Sequence, residues 1–93
     1  MEMIKMYNFY DKKSKRFDTP FFVYDEVGAK RHFIMAINRD GTLMNKFKDD
    51  YDLYYIADFN INNGDIILGE NNLPKLVMEG KDVAQAIKEK GNE

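Results

Sequence analysis

The chain has no cysteine, one histidine and one serine, and these shortages remove several classes of chemistry. Without cysteine there is neither a disulfide framework nor a thiolate metal site. His32 alone cannot supply a motif that needs two histidines, such as the His-x-His metal site of replication-initiating nucleases. Ser14, the only serine, sits in a run of cations with no neighbouring histidine, so nothing favours a Ser-His-Asp arrangement. No glycine-rich phosphate loop is present. The longest apolar runs, such as Phe33-Ile34-Met35-Ala36-Ile37, are far too short to cross a bilayer. No apolar stretch near the N-terminus reads as a signal peptide, so a cytoplasmic protein without membrane contact is expected.

Two acidic segments come close to metal motifs. Asp49-Asp50-x-Asp52 offers hard oxygen ligands but precedes a strand, which makes a solvated acidic turn the ordinary reading. Asp58-x-Asn60-x-Asn62 opens like a calcium-binding loop. That loop needs Gly at its sixth position and Glu at its twelfth, where this chain has Asn63 and Gly69. The composition therefore predicts no metal, no cofactor and no enzymatic activity.

What the chain has in quantity is aromatic residues, thirteen Phe and Tyr among 93 residues. Many of them flank one basic run. Tyr7, Phe9 and Tyr10 lead into Lys12-Lys13-Ser14-Lys15-Arg16, and Phe17, Phe21, Phe22 and Tyr24 follow. Lys and Arg neutralise phosphate, and aromatic rings give bases a stacking surface. Lys12, Lys13, Lys15 and Arg16 are thus candidate phosphate contacts, and Tyr7, Phe9, Tyr10, Phe17 and Phe21 candidate stacking residues. Lys30 and Arg31, on the following helix, extend the candidate nucleic-acid site. The alternative is a hairpin with a merely solvated turn whose aromatics form the core.

The net charge of −2 divides unevenly, with residues 1–48 carrying +4 and residues 49–93 carrying −6. Such asymmetry suggests two separate faces or self-association, unless the halves interleave in space.

One small domain is expected over residues 1–80, with a charged helical tail over 81–93. Residues 4–10 read as a strand and 17–24 as a second, with Pro20 confining the latter to an edge. Asp25 caps a helix to Asn38 in which Ala29, Phe33, Ala36 and Ile37 share one stripe. Gly28 weakens its first turn, so the helix depends on packing against a sheet. Residues 42–50 give no clear pattern. Tyr51 to Phe59 alternates as a central strand, with Leu53, Tyr55, Ala57 and Phe59 on one face and Asp52, Tyr54, Ile56 and Asp58 on the other. A turn at 60–64, a partner strand at 65–68 and a short edge segment at 76–78 follow, with Val83, Ala86, Ile87 and Lys90 at helical spacing beyond.

The expected fold is α+β: a small antiparallel sheet of about four strands in β-β-α-β-β order. One main helix covers one face, and a short helix ends the chain. The other sheet face must then be polar, ligand-binding or covered by a partner. A homodimer that hides apolar residues among Tyr51, Tyr54, Tyr55, Ile56 and Phe59 is expected on this ground.

Four short words in order carry a family resemblance. They are Tyr7-x-x-Tyr10-Asp11-Lys12-Lys13, then Pro20-Phe21, then Asp25…Ala29-x-Arg31-x-Phe33…Asn38, and Asp50-Tyr51-x-Leu53-Tyr54…Asp58-Phe59…Gly64-x-Ile66. In these the chain resembles the small nonstructural protein of gokushovirus-type Microviridae, single-stranded DNA phages, over roughly residues 3–78. It departs from the family with Ala57-Asp58-Phe59 where relatives often read Gly-Glu-Phe, and with its charged tail. The resemblance implies a nonstructural phage protein in the host bacterial cytoplasm. It implies single-stranded DNA binding that assists genome replication or the switch to single-stranded synthesis. Composition alone favours the alternative, an interaction module that binds a viral or host replication or assembly protein without touching nucleic acid.

Overall fold

The computed structural model describes residues 2–83. Its spine is a pair of long antiparallel strands, β1 (Met3–Asp11) and β4 (Tyr51–Asn60). Four short strands flank them: β2 (Arg16–Phe17) and β3 (Phe21–Val23) along β1, and β5 (Ile66–Leu68) and β6 (Lys75–Glu79) along β4. The sheet therefore has six strands rather than the expected four, because each edge of the spine is covered by two pieces. Between β2 and β3 the chain breaks at Asp18-Thr19-Pro20. Pro20 has no N–H for the ladder. The buried Asn8 side chain serves the break instead, donating to the Asp18 carbonyl at 2.8 Å. Between β5 and β6 the loop holds Asn71 and Asn72 in left-handed conformations.

The main helix, α1 (Glu26–Ile37), starts where expected. The Asp25 carboxylate accepts from the Gly28 N–H at 2.8 Å, which satisfies one of the free donors of the first turn. Its stripe of Ala29, Phe33 and Ile37 is buried against Tyr7, Phe9 and Leu53 of the spine, and Ala36 lies at the rim. A one-turn helix, α2 (Leu43–Lys46), occupies part of the segment without a clear pattern. Its cap is Thr42, whose hydroxyl accepts from the Asn45 N–H at 3.1 Å.

The alternation expected along β4 fails at Ile56. Tyr7 pairs with Tyr55 and Met6 with Ala57, so the register skips one residue in a β-bulge. Beyond it the faces exchange. Asp58 joins Tyr55 on the helix side, and Ala57 and Phe59 turn to the opposite side.

Residues 80–83 are helical, and Val83 is buried in the same core as Phe9, Phe33 and Leu53. The core thus draws on a residue of the segment expected to be a tail. Ala86, Ile87 and Lys90 lie outside the described residues. No helix among the described residues is long and apolar enough to cross a membrane.

Candidate nucleic-acid interface

The basic run forms a hairpin turn between β1 and β2, closed by the pairing of Asp11 with Arg16. Asp11 organises it: its carboxylate accepts from the Lys13 N–H at 2.9 Å and the Ser14 N–H at 3.4 Å, and its carbonyl from the Lys15 N–H at 2.8 Å. Desolvation pushes the Asp11 carboxyl up. Hydrogen bonds from the Lys13 and Ser14 N–H groups and from the Ser14 and Tyr51 side chains outweigh it and hold the carboxyl below its usual range. The turn leaves Lys12, Lys13, Lys15 and Arg16 exposed. Lys15 takes a φ of 60°, a conformation that costs a residue with a Cβ about 1–2 kcal/mol. Glycine or asparagine would be the ordinary choice there.

The four cations are not equivalent. Lys12 reaches back over the sheet to the Asp52 carboxylate at 3.4 Å, while Lys13, Lys15 and Arg16 make no ion pair among the described residues. Since Asp52 faces Tyr10 across the ladder, Lys12 lies on the sheet face opposite α1. Tyr10, Phe17 and Tyr54 share that face beside the turn. Their ring centroids are 4.7 Å apart for Tyr10–Phe17, 5.7 Å for Tyr10–Tyr54 and 5.6 Å for Phe17–Tyr54. Phe17 is 42% exposed. Desolvation first, and the nearby Asp52 second, push the Tyr54 hydroxyl pKa up, so the ring stays neutral over any physiological pH.

The expected stacking residues therefore divide. Tyr7 and Phe9 are 2% and 7% exposed, buried under α1, and their rings offer no face to a base. Phe21 lies on the helix side with them and stacks on His32 at 4.3 Å. Tyr10 and Phe17 are on the open side, joined by Tyr54. Sequence reasoning placed Tyr54 on an apolar surface but not beside the turn, because only the β1–β4 register brings it next to Tyr10. Lys30 and Arg31 stand on α1, across the sheet from the trio, and Lys30 is paired with Glu26 at 3.4 Å.

Of the groups that resembled metal ligands, Asp52, Asp58 and Asn60 have side-chain partners of their own. Asp52 holds Lys12. Asp58 accepts from the Tyr55 hydroxyl at 2.8 Å and from Lys5 at 3.3 Å, and the Asn60 side chain accepts from the Asn62 N–H within a turn.

The fold and site define a small α+β protein with one sheet face left open by the described residues, bearing an aromatic trio beside an exposed basic turn. The chain belongs to the Phage ORF5 protein family, whose model matches residues 4–83, and is accordingly a bacteriophage protein. No curated protein and no solved structure matches it.

Proposed function

We propose that this phage protein binds single-stranded DNA without catalysing a reaction on it, and assists viral genome replication or the switch to single-stranded synthesis. The observation that carries the reading is the exposed basic turn lying next to the exposed Phe17 ring and its partners Tyr10 and Tyr54. Lys13, Lys15 and Arg16 of that turn make no ion pair among the described residues, and Arg16, paired with Asp11, is on the other side of the strand from Phe17. The cations neutralise phosphates while a base stacks on the open side of Phe17. A lysine held at φ 60°, where glycine is easier, supports a use for its charge. The resemblance to nonstructural proteins of gokushovirus-type phages points the same way, and with it a place in the host cytoplasm. A reading as an interaction module for a viral or host replication or assembly protein is favoured by the far end of the open face. There Phe22, Ile66 and Leu68 are exposed.

The test is titration of a labelled single-stranded oligonucleotide at two salt concentrations. Each phosphate contact contributes about −0.7 to the slope of log affinity against log salt, so Lys13→Ala/Lys15→Ala/Arg16→Ala flattens the slope by up to about 2. Phe17→Ala weakens binding with the slope unchanged. Lys15→Gly relieves the backbone yet still weakens binding. Equal affinity of the triple variant and the parent overturns the site, and absence of binding by the parent at low salt overturns the function.

A further inference from the structure

The two edges of the sheet are chemically unlike. The β2–β3 edge carries Lys15, Arg16, Asp18 and Pro20 within or beside its strands, the residues that keep an edge from pairing with another chain. On the opposite edge, β6 begins after Pro74 with Lys75 and ends on Glu79. β5 holds no charge or proline within the strand, and Asp65 stands just before it. Its residues Ile66, Ile67 and Leu68 are 56%, 51% and 49% exposed, so apolar side chains meet solvent on both faces of one strand. A strand with water on both sides has no reason to be apolar on both, and a buried one does.

The ladder also shows which backbone groups are free. The Asn60 N–H donates to the Asp65 carbonyl at 2.9 Å, and Asp58 pairs with Ile67. By the alternation of an antiparallel ladder, the N–H and C=O of Ile67 face β4, while those of Ile66 and Leu68 point away from the sheet.

We infer that β5 pairs with β5 of a second copy of this chain, antiparallel about a twofold axis at Ile67. The outward groups of Ile66 then exchange hydrogen bonds with those of Leu68 in the other copy, and the reverse, so the two sheets become one. The strand is its own complement in this register, because it holds no charge to repel its copy. The same symmetric pairing at the other edge would bring two Arg16-bearing strands together. The described chain also ends far from this edge: the Gly80 N–H donates to Asp52 at 3.4 Å, and Val83 is buried on the helix side. Asp52 lies six residues along β4 from Asp58, the partner of Ile67, a separation of about 20 Å at the rise of a strand. The basic turn is at that same distant end, so pairing at β5 leaves it uncovered. This inference rests on edge chemistry and is independent of DNA binding.

In the proposed register Ile67 faces its own copy in a non-hydrogen-bonded pair, with Cα atoms about 4.5 Å apart, a span that a disulfide bridges. The chain has no other cysteine, so Ile67→Cys is a clean reporter. Under mild oxidation it links into a dimer that reductant reverses, while Thr19→Cys on the other edge stays unlinked. Light scattering of the parent at micromolar concentration reads twice the 11.0 kDa chain mass. Ile66→Lys/Leu68→Lys reads the single mass with an unchanged far-ultraviolet circular dichroism spectrum. A parent that stays at one chain mass overturns the inference. So does a dimer that survives in the double lysine variant, or linking by Thr19→Cys as ready as that by Ile67→Cys.

Discussion

The Lys12 ammonium lies 3.4 Å from the carboxylate of Asp52, a strand residue whose side chain is only 6% exposed. The pair ties the basic turn to the adjoining end of the spine and makes Lys12 a structural cation, whereas Lys13, Lys15 and Arg16 make no ion pair among the described residues. Removing it leaves a nearly buried carboxylate with the Gly80 N–H, at 3.4 Å, as its remaining hydrogen-bond donor.

Lys12→Ala is therefore expected to destabilise the fold by about 1–2 kcal/mol. An uncompensated buried charge costs more than that, but solvent around a lysine 43% exposed reduces the effect. For a domain of this size this is a fall in melting temperature of about 4–16 °C. Lys13→Ala changes stability by less than about 0.5 kcal/mol, as an exposed substitution does. Thermal melts of the two variants check the division, and equal melting temperatures would refute it.

Gly80 is fixed by close approach. A Cβ built there would collide with the backbone carbonyl oxygens of Lys48 and Tyr51. Neither is the end of a flexible side chain, so the strand has to move. Gly80→Ala is expected to cost about 3 kcal/mol or more, at the upper end of overpacking, and to loosen Val83 from the core. Gly69→Ala meets the edge of the Tyr55 ring at 3.0 Å, a side chain that can give way, and costs less. Urea unfolding of both variants ranks them, and the reverse order would contradict the packing described.

How much of this was legible in the sequence depends on which interactions decide each element. α1 is a local matter, set by a capping carboxylate at Asp25 and a stripe at helical spacing, and it stands where the pattern puts it. The spine strands and the turn at Asn60–Gly64 were readable for the same reason, with Gly64 at φ 83°. The bulge at Ile56 was not, since a skipped residue exists only relative to the partner strand. That one shift moves Asp58 beside Tyr55 and Lys5 and sends Phe59 to the open face, where its ring lies 5.6 Å from Phe22. The site shows the same limit. The turn and its charges are visible in Lys12–Arg16, but alternation along β1 is what divides Tyr7 and Phe9 from Tyr10. Which of these faces lies under α1 follows from tertiary packing.

Tyr55 links that packing to pH. Burial chiefly, and then its hydrogen bond to Asp58, push its hydroxyl pKa up to about 12 from the ordinary tyrosine value of 10.0. Burial also raises Tyr7, Tyr51 and Tyr54. For a group whose pKa is higher folded than unfolded, the stabilisation is complete below the unfolded value and is lost as pH rises through the folded one. The fold is therefore expected to weaken between pH 10 and about 12. In Tyr55→Phe the largest of these titrations is gone, and Asp58 keeps Lys5 at 3.3 Å as its partner. Urea midpoints followed across this range should fall less steeply in Tyr55→Phe than in the parent. The slope does not vanish, because three raised tyrosines remain. Parallel slopes in the two proteins would mean that the Tyr55–Asp58 hydrogen bond does not set the alkaline limit.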